Sequence, residues 1–339
     1  MSRTSRAYAV RGTPRARPTL ILPPMTFCDV LRRAPVVLTE GAVIERLRRD
    51  RAVTLGPHVL NLALLYDEDG RRRLTRLYRQ YLDIGHAYDL PMLVLTPTWR
   101  ANSERVRAAG LADCDVNADA ARCMTALRSS YGPYAKHVYV GGLLGPRGDA
   151  YSAADTLATD DACVFHRPQA AALAAAGVDF LLAATLPAVG EALGLARALA
   201  ACDCPYVLSF VVRPDGTCLD GTPLHEAVRR IDGKVRPPPL AYMVNCVHPT
   251  VFAAALEVVR AQDAQACERV VGLQANTSPL SPEELDDRAD LAGTSPEDFA
   301  AAMIELHGRF GIRVLGGCCG TDDRHIAALT RQVAPPRGR

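Results

Sequence analysis

Two cysteines stand side by side near the C-terminus, in Val314-Leu315-Gly316-Gly317-Cys318-Cys319-Gly320-Thr321. Ile312 to Leu315 is a largely apolar run that reads as a short buried strand, and the glycines flanking the cysteine pair let the backbone turn where other residues resist. Neighbouring side chains on a regular strand point to opposite faces, so adjacent thiols can serve one site only where the strand has ended and the loop curls. A second apolar run, Ala241-Tyr242-Met243-Val244-Asn245-Cys246, also ends in a cysteine. Three thiolates at the C-terminal ends of two strands would make a sulfur-rich zinc site with its fourth position open, the mark of a catalytic rather than a structural site. A single free cysteine more often packs as a small hydrophobe. Gly-Gly-Cys-Cys-Gly paired with Asn-Cys at a strand end favours metal over packing. The expected cofactor is therefore Zn2+, and the expected ligands are Cys246, Cys318 and Cys319.

The elements that must position these cysteines follow a repeating pattern. Short apolar runs at Pro35–Leu38, Pro91–Leu95, His137–Leu144, Asp179–Ala183, Pro205–Val211, Ala241–Asn245, Val270–Gln274 and Ile312–Leu315 read as buried strands. Most are followed by a helical stretch; Asp67 to His86, for example, carries Leu74, Leu77, Tyr78, Tyr81 and Leu82 at helical spacing. Non-alternating strands that alternate with helices make a parallel sheet, and about eight such units over this length predict a closed TIM (β/α)8 barrel in a single domain. A doubly wound open sheet is the alternative. No Gly-x-Gly-x-x-Gly follows any strand, so nothing points to a dinucleotide. The expected domain spans residues 31–334, between a basic N-terminal tail (1–30) and a short C-terminal tail (335–339). In such a barrel the reacting groups sit where strands end and helices have not begun, and the cysteines fall at such places.

The two cysteine motifs resemble the homocysteine S-methyltransferase family, and the resemblance runs from about Val36 to Leu329. Its other carriers are Thr39-Glu40-Gly41-Ala42, Leu95-Thr96-Pro97-Thr98, Gly145-Pro146-Arg147-Gly148, Phe165-His166-Arg167-Pro168, Thr185-Leu186-Pro187, Leu219-Asp220-Gly221-Thr222-Pro223-Leu224 and Ala275-Asn276. The resemblance implies a TIM barrel with zinc on the Asn-Cys cysteine and both cysteines of Gly-Gly-Cys-Cys. It implies transfer of a methyl group to a small thiol held as a thiolate on the metal. It also implies substrate-binding or orienting roles for Glu40, Gly41, Thr96, Asn245 and Asn276.

The acceptor pocket departs from the family pattern. Two acids hold the amino group of homocysteine in the family; here the first is Glu40, on a longer arm than the usual Asp, and the second is replaced by Ala184. Losing one charge-assisted hydrogen bond costs on the order of 1.5–3 kcal/mol. The family's Thr-Asn-Thr is Thr96-Pro97-Thr98 here, followed by Trp99 and Arg100, whose guanidinium fork suits a carboxylate or phosphate. The expected acceptor is homocysteine or a related thiol, one without a free amino group or with an extra acid. The donor is left open among S-methylmethionine, betaine and S-adenosylmethionine. Alternatives are demethylation of a methylated small molecule, and a non-catalytic zinc–thiolate barrel that binds a ligand or senses redox state.

Bulk properties agree with a soluble enzyme of small molecules. The 339 residues are 49% hydrophobic and 22% charged, with a formal net charge of +2, so neither nucleic acid nor a membrane is expected as a partner. No apolar stretch approaches the roughly 20 residues of a membrane span. Five arginines in residues 1–17 precede no apolar secretory segment. Eleven cysteines, an odd number, fit reduced thiols in a cytoplasm better than a disulfide framework. Among the remaining polar residues, His248 is expected in a loop, His166 as a packed helical residue, His325 facing solvent, Asn117 as a helix cap, and Cys202 and Cys204 at the far end of the barrel.

Overall fold

The computed structural model describes residues 25–280 and 293–334; the expected C-terminal tail and residues 1–24 lie outside them. Eight strands close on themselves in chain order, every neighbouring pair parallel, with Leu38 opposite Met92 at the first pair and Val37 opposite Val314 at the closure. They are β1 (Val37–Thr39), β2 (Met92–Leu95), β3 (Val138–Leu144), β4 (Phe180–Leu186), β5 (Tyr206–Phe210), β6 (Ala241–Asn245), β7 (Val270–Ala275) and β8 (Val314–Gly317). The open-sheet alternative is thereby excluded. The helices, in order, are α1 (Phe27–Arg33), α2 (Ile44–Arg49), α3 (Glu68–Tyr88), α4 (Ser103–Ala108), α5 (Val116–Ser129) and α6 (Thr159–Ala175). They continue with α7 (Val189–Ala200), α8 (Leu224–Lys234), α9 (Pro249–Gln262), α10 (Ala264–Glu268), α11 (Pro296–Phe310) and α12 (Asp323–Val333).

The strands read as unbroken apolar runs because both their faces are covered. Along β4, Phe180, Leu182 and Ala184 point into the barrel, while Leu181, Ala183 and Leu186 pack against the outer helices. Val37, Leu93, Leu95, Tyr139, Val207, Met243, Val271 and Val314 complete the inner cluster. Close approach of the layers excludes side chains at some positions; a Cβ on Gly141 would sit 2.4 Å from the Phe180 ring.

The N-terminal end of the barrel is closed by α1, which begins inside the stretch expected as a tail. Thr26 and Asp29 form its capping box. Phe27 stacks on Phe180 with ring centroids 4.0 Å apart, and the Tyr139 hydroxyl donates to the Met25 carbonyl at 3.0 Å. Val30 and Leu31 join the same inner cluster. Two further expectations are corrected here. Asp115 rather than Asn117 caps α5, which starts earlier than its apolar spacing suggested. His325 is 5% exposed, not solvent-facing: it closes a capping box with Asp322 and meets Phe299 edge-on.

Long α3 buries Leu74, Leu77, Tyr78, Tyr81 and Leu82, and its tyrosines reach the working end of the barrel. Tyr78 donates to the Leu95 carbonyl and Tyr81 to that of Ala42, each at 2.8 Å, which fixes the chain where β1 and β2 end. All eleven cysteines are free thiols. No helix among the described residues is long and apolar enough to cross a membrane.

Candidate metal centre

Cys246 follows β6 directly, with φ at +58°, a left-handed conformation that turns its thiol inward as the strand ends. Its backbone N–H remains tied to β7 through the Gln274 carbonyl, 3.0 Å away. Cys318 and Cys319 follow β8, where the chain curls into a turn: the Thr321 N–H donates to the Cys318 carbonyl at 3.2 Å, and the Thr321 hydroxyl to the same oxygen at 2.6 Å. Gly320 takes φ +82° inside that turn. The curl brings neighbouring thiols to one side, and the sulfurs of Cys246, Cys318 and Cys319 all lie within 4.8 Å of one another. Tetrahedral zinc–thiolate bonds of about 2.3 Å put sulfurs about 3.8 Å apart, so the soft, buried donor set fits zinc.

Two asparagines bind these loops together. Asn276 donates to the Cys246 carbonyl at 2.9 Å and accepts from the Cys319 N–H at 3.1 Å, joining the two cysteine loops through one side chain. Asn245 accepts from the Thr185 N–H at 2.9 Å and the Ser209 hydroxyl at 2.7 Å. It donates to the Thr185 hydroxyl at 2.8 Å and to the Cys246 sulfur at 3.3 Å. The donors gathered at Cys246 hold its thiol well below the usual range: Cys318 and Cys319 contribute most, and Tyr151 and Asn245 follow, against the opposing effect of burial. Cys318 is pushed up in return, and Cys319 up to about 12, chiefly by the hydrogen bond to Cys246. Of the three sulfurs, Cys246 is the one whose ionised form its surroundings favour.

The remaining site residues are distributed around this mouth. Glu40 ends β1, beside the cysteine turn: its carbonyl accepts from the Gly317 N–H at 3.1 Å. Its side chain is 4% exposed; one carboxylate oxygen accepts from the Leu95 N–H at 3.1 Å, and the other is buried with no partner. Burial pushes the carboxyl up to about 8, against hydrogen bonds from the Glu40 and Leu95 amides. Gly41 has no room for a side chain, since a Cβ would meet the Tyr81 hydroxyl at 2.9 Å and the Thr321 hydroxyl at 3.0 Å. Thr96 is fully buried, and its hydroxyl shares a proton with Thr98 at 2.6 Å while accepting from the Leu143 N–H at 2.9 Å. It stitches β2 to β3, and with the Thr98 proton given to the Leu143 carbonyl, its own proton goes to Thr98 and is not free for a ligand.

Arg100 also differs from its expectation. Its Nη1 donates to the Pro146 carbonyl at 2.9 Å and the Gly148 carbonyl at 2.6 Å, and its guanidinium lies 4.1 Å over the Trp99 ring. Burial lowers it to about 10. Half of the fork expected to meet a carboxylate instead grips the loop after β3. His248 caps α9 and bonds Thr250 and Thr294, a loop role. His166 is buried on α6 against Glu191, 2.9 Å away.

Tyr151 and Ala184 complete the surroundings. Ala184 is 5% exposed at the inner face of β4, and its carbonyl accepts from the Trp99 indole at 3.4 Å. Tyr151, which the sequence did not single out, is near enough to the cysteines for their charge, Cys246 above all, to push its phenol well up. No local motif marks it; only the path of its loop brings it there.

Known proteins are similar to this chain to different extents. Homocysteine S-methyltransferase of Escherichia coli is 31% identical over 206 residues, which span 58% of this chain and 63% of that protein. Homocysteine S-methyltransferase YbgG of Bacillus subtilis is 22% identical over 88% of this chain and 95% of its own. The match to bovine betaine–homocysteine S-methyltransferase 1, at 28% identity, spans 48% of this chain and only 41% of that enzyme. The metallated form of the homocysteine methyltransferase MmuM of Escherichia coli superposes with a TM-score of 0.72 at 23% identity, over 89% of this chain and 98% of that one. Its oxidized form superposes with a TM-score of 0.73, a likeness that speaks for the fold. The family model for homocysteine S-methyltransferase matches residues 37–333, and the chain belongs to the homocysteine S-methyltransferase family.

Proposed function

We propose that this protein is a zinc-dependent S-methyltransferase that moves a methyl group from a small sulfonium or ammonium donor to a small thiol, homocysteine or a close relative. The observation that carries this reading is the meeting of Cys246, Cys318 and Cys319 at the C-terminal mouth of the barrel, with their sulfurs mutually within 4.8 Å. Zinc held by three thiolates supplies an open position at which an acceptor thiol stays deprotonated near neutral pH. Every other contribution comes from the chain. Asn245 and Asn276 fix the direction of the sulfurs, as partners behind a metal ligand do. The buried barrel wall excludes water from the reacting pair.

Glu40 supports an acceptor with an amino group. A buried carboxyl oxygen without a partner is costly, and an arriving ammonium would supply the missing donor and favour the ionised form, the carboxyl proton leaving to solvent. Ala184 leaves that ammonium with one acid where the family has two, so binding is weaker and other thiols compete better. Relatives whose names specify donors use betaine or S-methylmethionine, one a quaternary ammonium and the other a sulfonium. Both classes transfer a methyl by direct displacement, which breaks the donor's bond to that methyl as the new carbon–sulfur bond forms.

The test is zinc content per chain, followed by titration of the loaded protein with homocysteine and other thiols. About one zinc per chain in the wild type, lost in Cys318→Ala, together with homocysteine binding, is the expected result. A purified chain that cannot be loaded with zinc would end the reading. Zinc without homocysteine binding would keep the metal and move the acceptor to another thiol.

A further inference from the structure

The backbone donors of the cysteine turn can be followed one by one. The Cys318 N–H donates to the Ala275 carbonyl at 2.7 Å, and the Cys319 N–H to the Asn276 side chain at 3.1 Å. The Thr321 N–H closes the turn on the Cys318 carbonyl. Between them, the Gly320 N–H donates to the carboxylate of Glu45, 275 positions away in sequence. Two of these amides are therefore held by the residues around the end of β7, one by the turn itself and one from α2. Glu45 is the charged acceptor among them, and such hydrogen bonds are the stronger kind.

Glu45 stands in the first turn of α2 with its side chain 16% exposed. Its other oxygen lies 2.6 Å from Arg49, a charge contact without hydrogen-bond alignment. The same segment grips the turn a second time: the Ala42 N–H donates to the Thr321 hydroxyl at 3.0 Å, and that hydroxyl donates to the Cys318 carbonyl. Arg46, the next residue, pairs with Asp323 at 3.0 Å, beyond the turn. The peptide plane that carries the Gly320 N–H also carries the Cys319 carbonyl. That carbonyl accepts from the Thr277 N–H at 3.1 Å, so the plane is held on both edges, by Thr277 on one and Glu45 on the other. Gly320 has no side chain to steady its left-handed backbone, and the direction of its amide rests on the acceptor it meets.

We propose, resting on the zinc reading above, that Glu45 is a positioning residue of the metal centre. Its carboxylate holds the Cys319–Gly320 peptide so that the sulfurs of Cys318 and Cys319 already face Cys246 when the metal arrives. It acts through the backbone and touches neither metal nor substrate.

Three variants of the full chain test this. Glu45→Met keeps a long arm and a good helix former but offers no acceptor oxygen. Glu45→Gln keeps an oxygen for the Gly320 N–H and loses the charge. Arg46→Ala cuts the neighbouring tie to Asp323 and leaves the hydrogen bonds of the turn in place. Zinc affinity, measured against a competing chelator, is expected to fall roughly 10- to 100-fold in Glu45→Met. Glu45→Gln is expected to recover most of that loss, and Arg46→Ala to bind zinc as the wild type does. Cobalt(II) loaded in place of zinc reports the ligand geometry in its visible absorption, which is expected to change in Glu45→Met and not in Arg46→Ala. Should Glu45→Met fail to fold, the smaller Glu45→Ala, equally without an acceptor, takes its place. Wild-type zinc affinity in the variant without an acceptor would overturn the role of Glu45. So would a Glu45→Gln as weak as that variant, or a loss as large in Arg46→Ala. A wild type that takes up neither zinc nor cobalt would instead remove the metal reading itself.

Discussion

Replacing Glu40 by Gln should make the ligand-free chain more stable and its grip on homocysteine weaker. Glu40 is 4% exposed, one of its oxygens has no partner, and burial raises its carboxyl from the ordinary 4.5 to about 8. The sign follows from linkage. Below pH 4.5 the group is protonated in both states and contributes nothing. Between 4.5 and about 8 the unfolded chain releases the proton and the folded chain keeps it, so stability falls as pH rises, and above 8 the loss levels off. At about 1.4 kcal/mol per pH unit, the loss at neutral pH is on the order of 3 kcal/mol. Gln keeps an acceptor for the Leu95 N–H but places an unpaired amide where the lone oxygen was, at a cost of about 1–3 kcal/mol. Glu40→Gln should therefore gain up to about 2 kcal/mol at neutral pH and lose stability relative to wild type near pH 4.5. Urea unfolding of both proteins across pH 4.5–8, without zinc or thiol, measures the difference directly. A difference that does not change with pH would refute the argument, because it would mean that Glu40 ionises alike in the folded and unfolded chain. Homocysteine affinity should fall roughly ten- to a hundredfold in the same variant, the loss of a charge-assisted bond.

Ala184→Glu should raise homocysteine affinity by roughly tenfold or more, read by titration of the zinc-loaded chain; no gain would mean that the side chain of residue 184 does not face the acceptor. Asn276→Ala should lower zinc affinity by roughly 10- to 100-fold in competition with a chelator, since it cuts the link between the Cys246 carbonyl and the Cys319 N–H. Phe27→Ala should destabilise the chain by about 3–5 kcal/mol through loss of its packing on Phe180, while zinc stoichiometry in the folded protein stays unchanged.

Much of the site was legible because its chemistry is concentrated. An adjacent cysteine pair between glycines has few structural uses, and the barrel placed Cys246 at a strand end beside it. The strands were legible for a similar reason: a sheet covered on both faces must be apolar throughout, as β4 is. What stayed hidden depends on where long side chains go. Arg100 reads in sequence as a fork for an anion, yet backbone carbonyls are acceptors too, and composition says nothing about which will be nearest. Thr96 carries a family motif, but its hydroxyl is consumed by Thr98 and Leu143. Tyr151 comes near the cysteines from a loop distant in sequence, so no local pattern could have assigned it. The helix α1 hid behind the basic composition before it, although its Thr26–Asp29 capping box lies in plain view.

The two ends of the barrel divide the work. At the N-terminal end, Phe27, Val30 and Leu31 fill the interior with apolar side chains that need no partners. At the C-terminal end nearly every buried polar atom is tied, as at Asn245, where four hydrogen bonds account for its amide. The second oxygen of Glu40, like the Thr277 hydroxyl after β7, is a buried polar atom left without a partner, at a cost to the fold. Stability alone would select a neutral residue there. An acid there, beside a turn that presents two thiols, suits the proposed acceptor, whose cationic group would arrive with it.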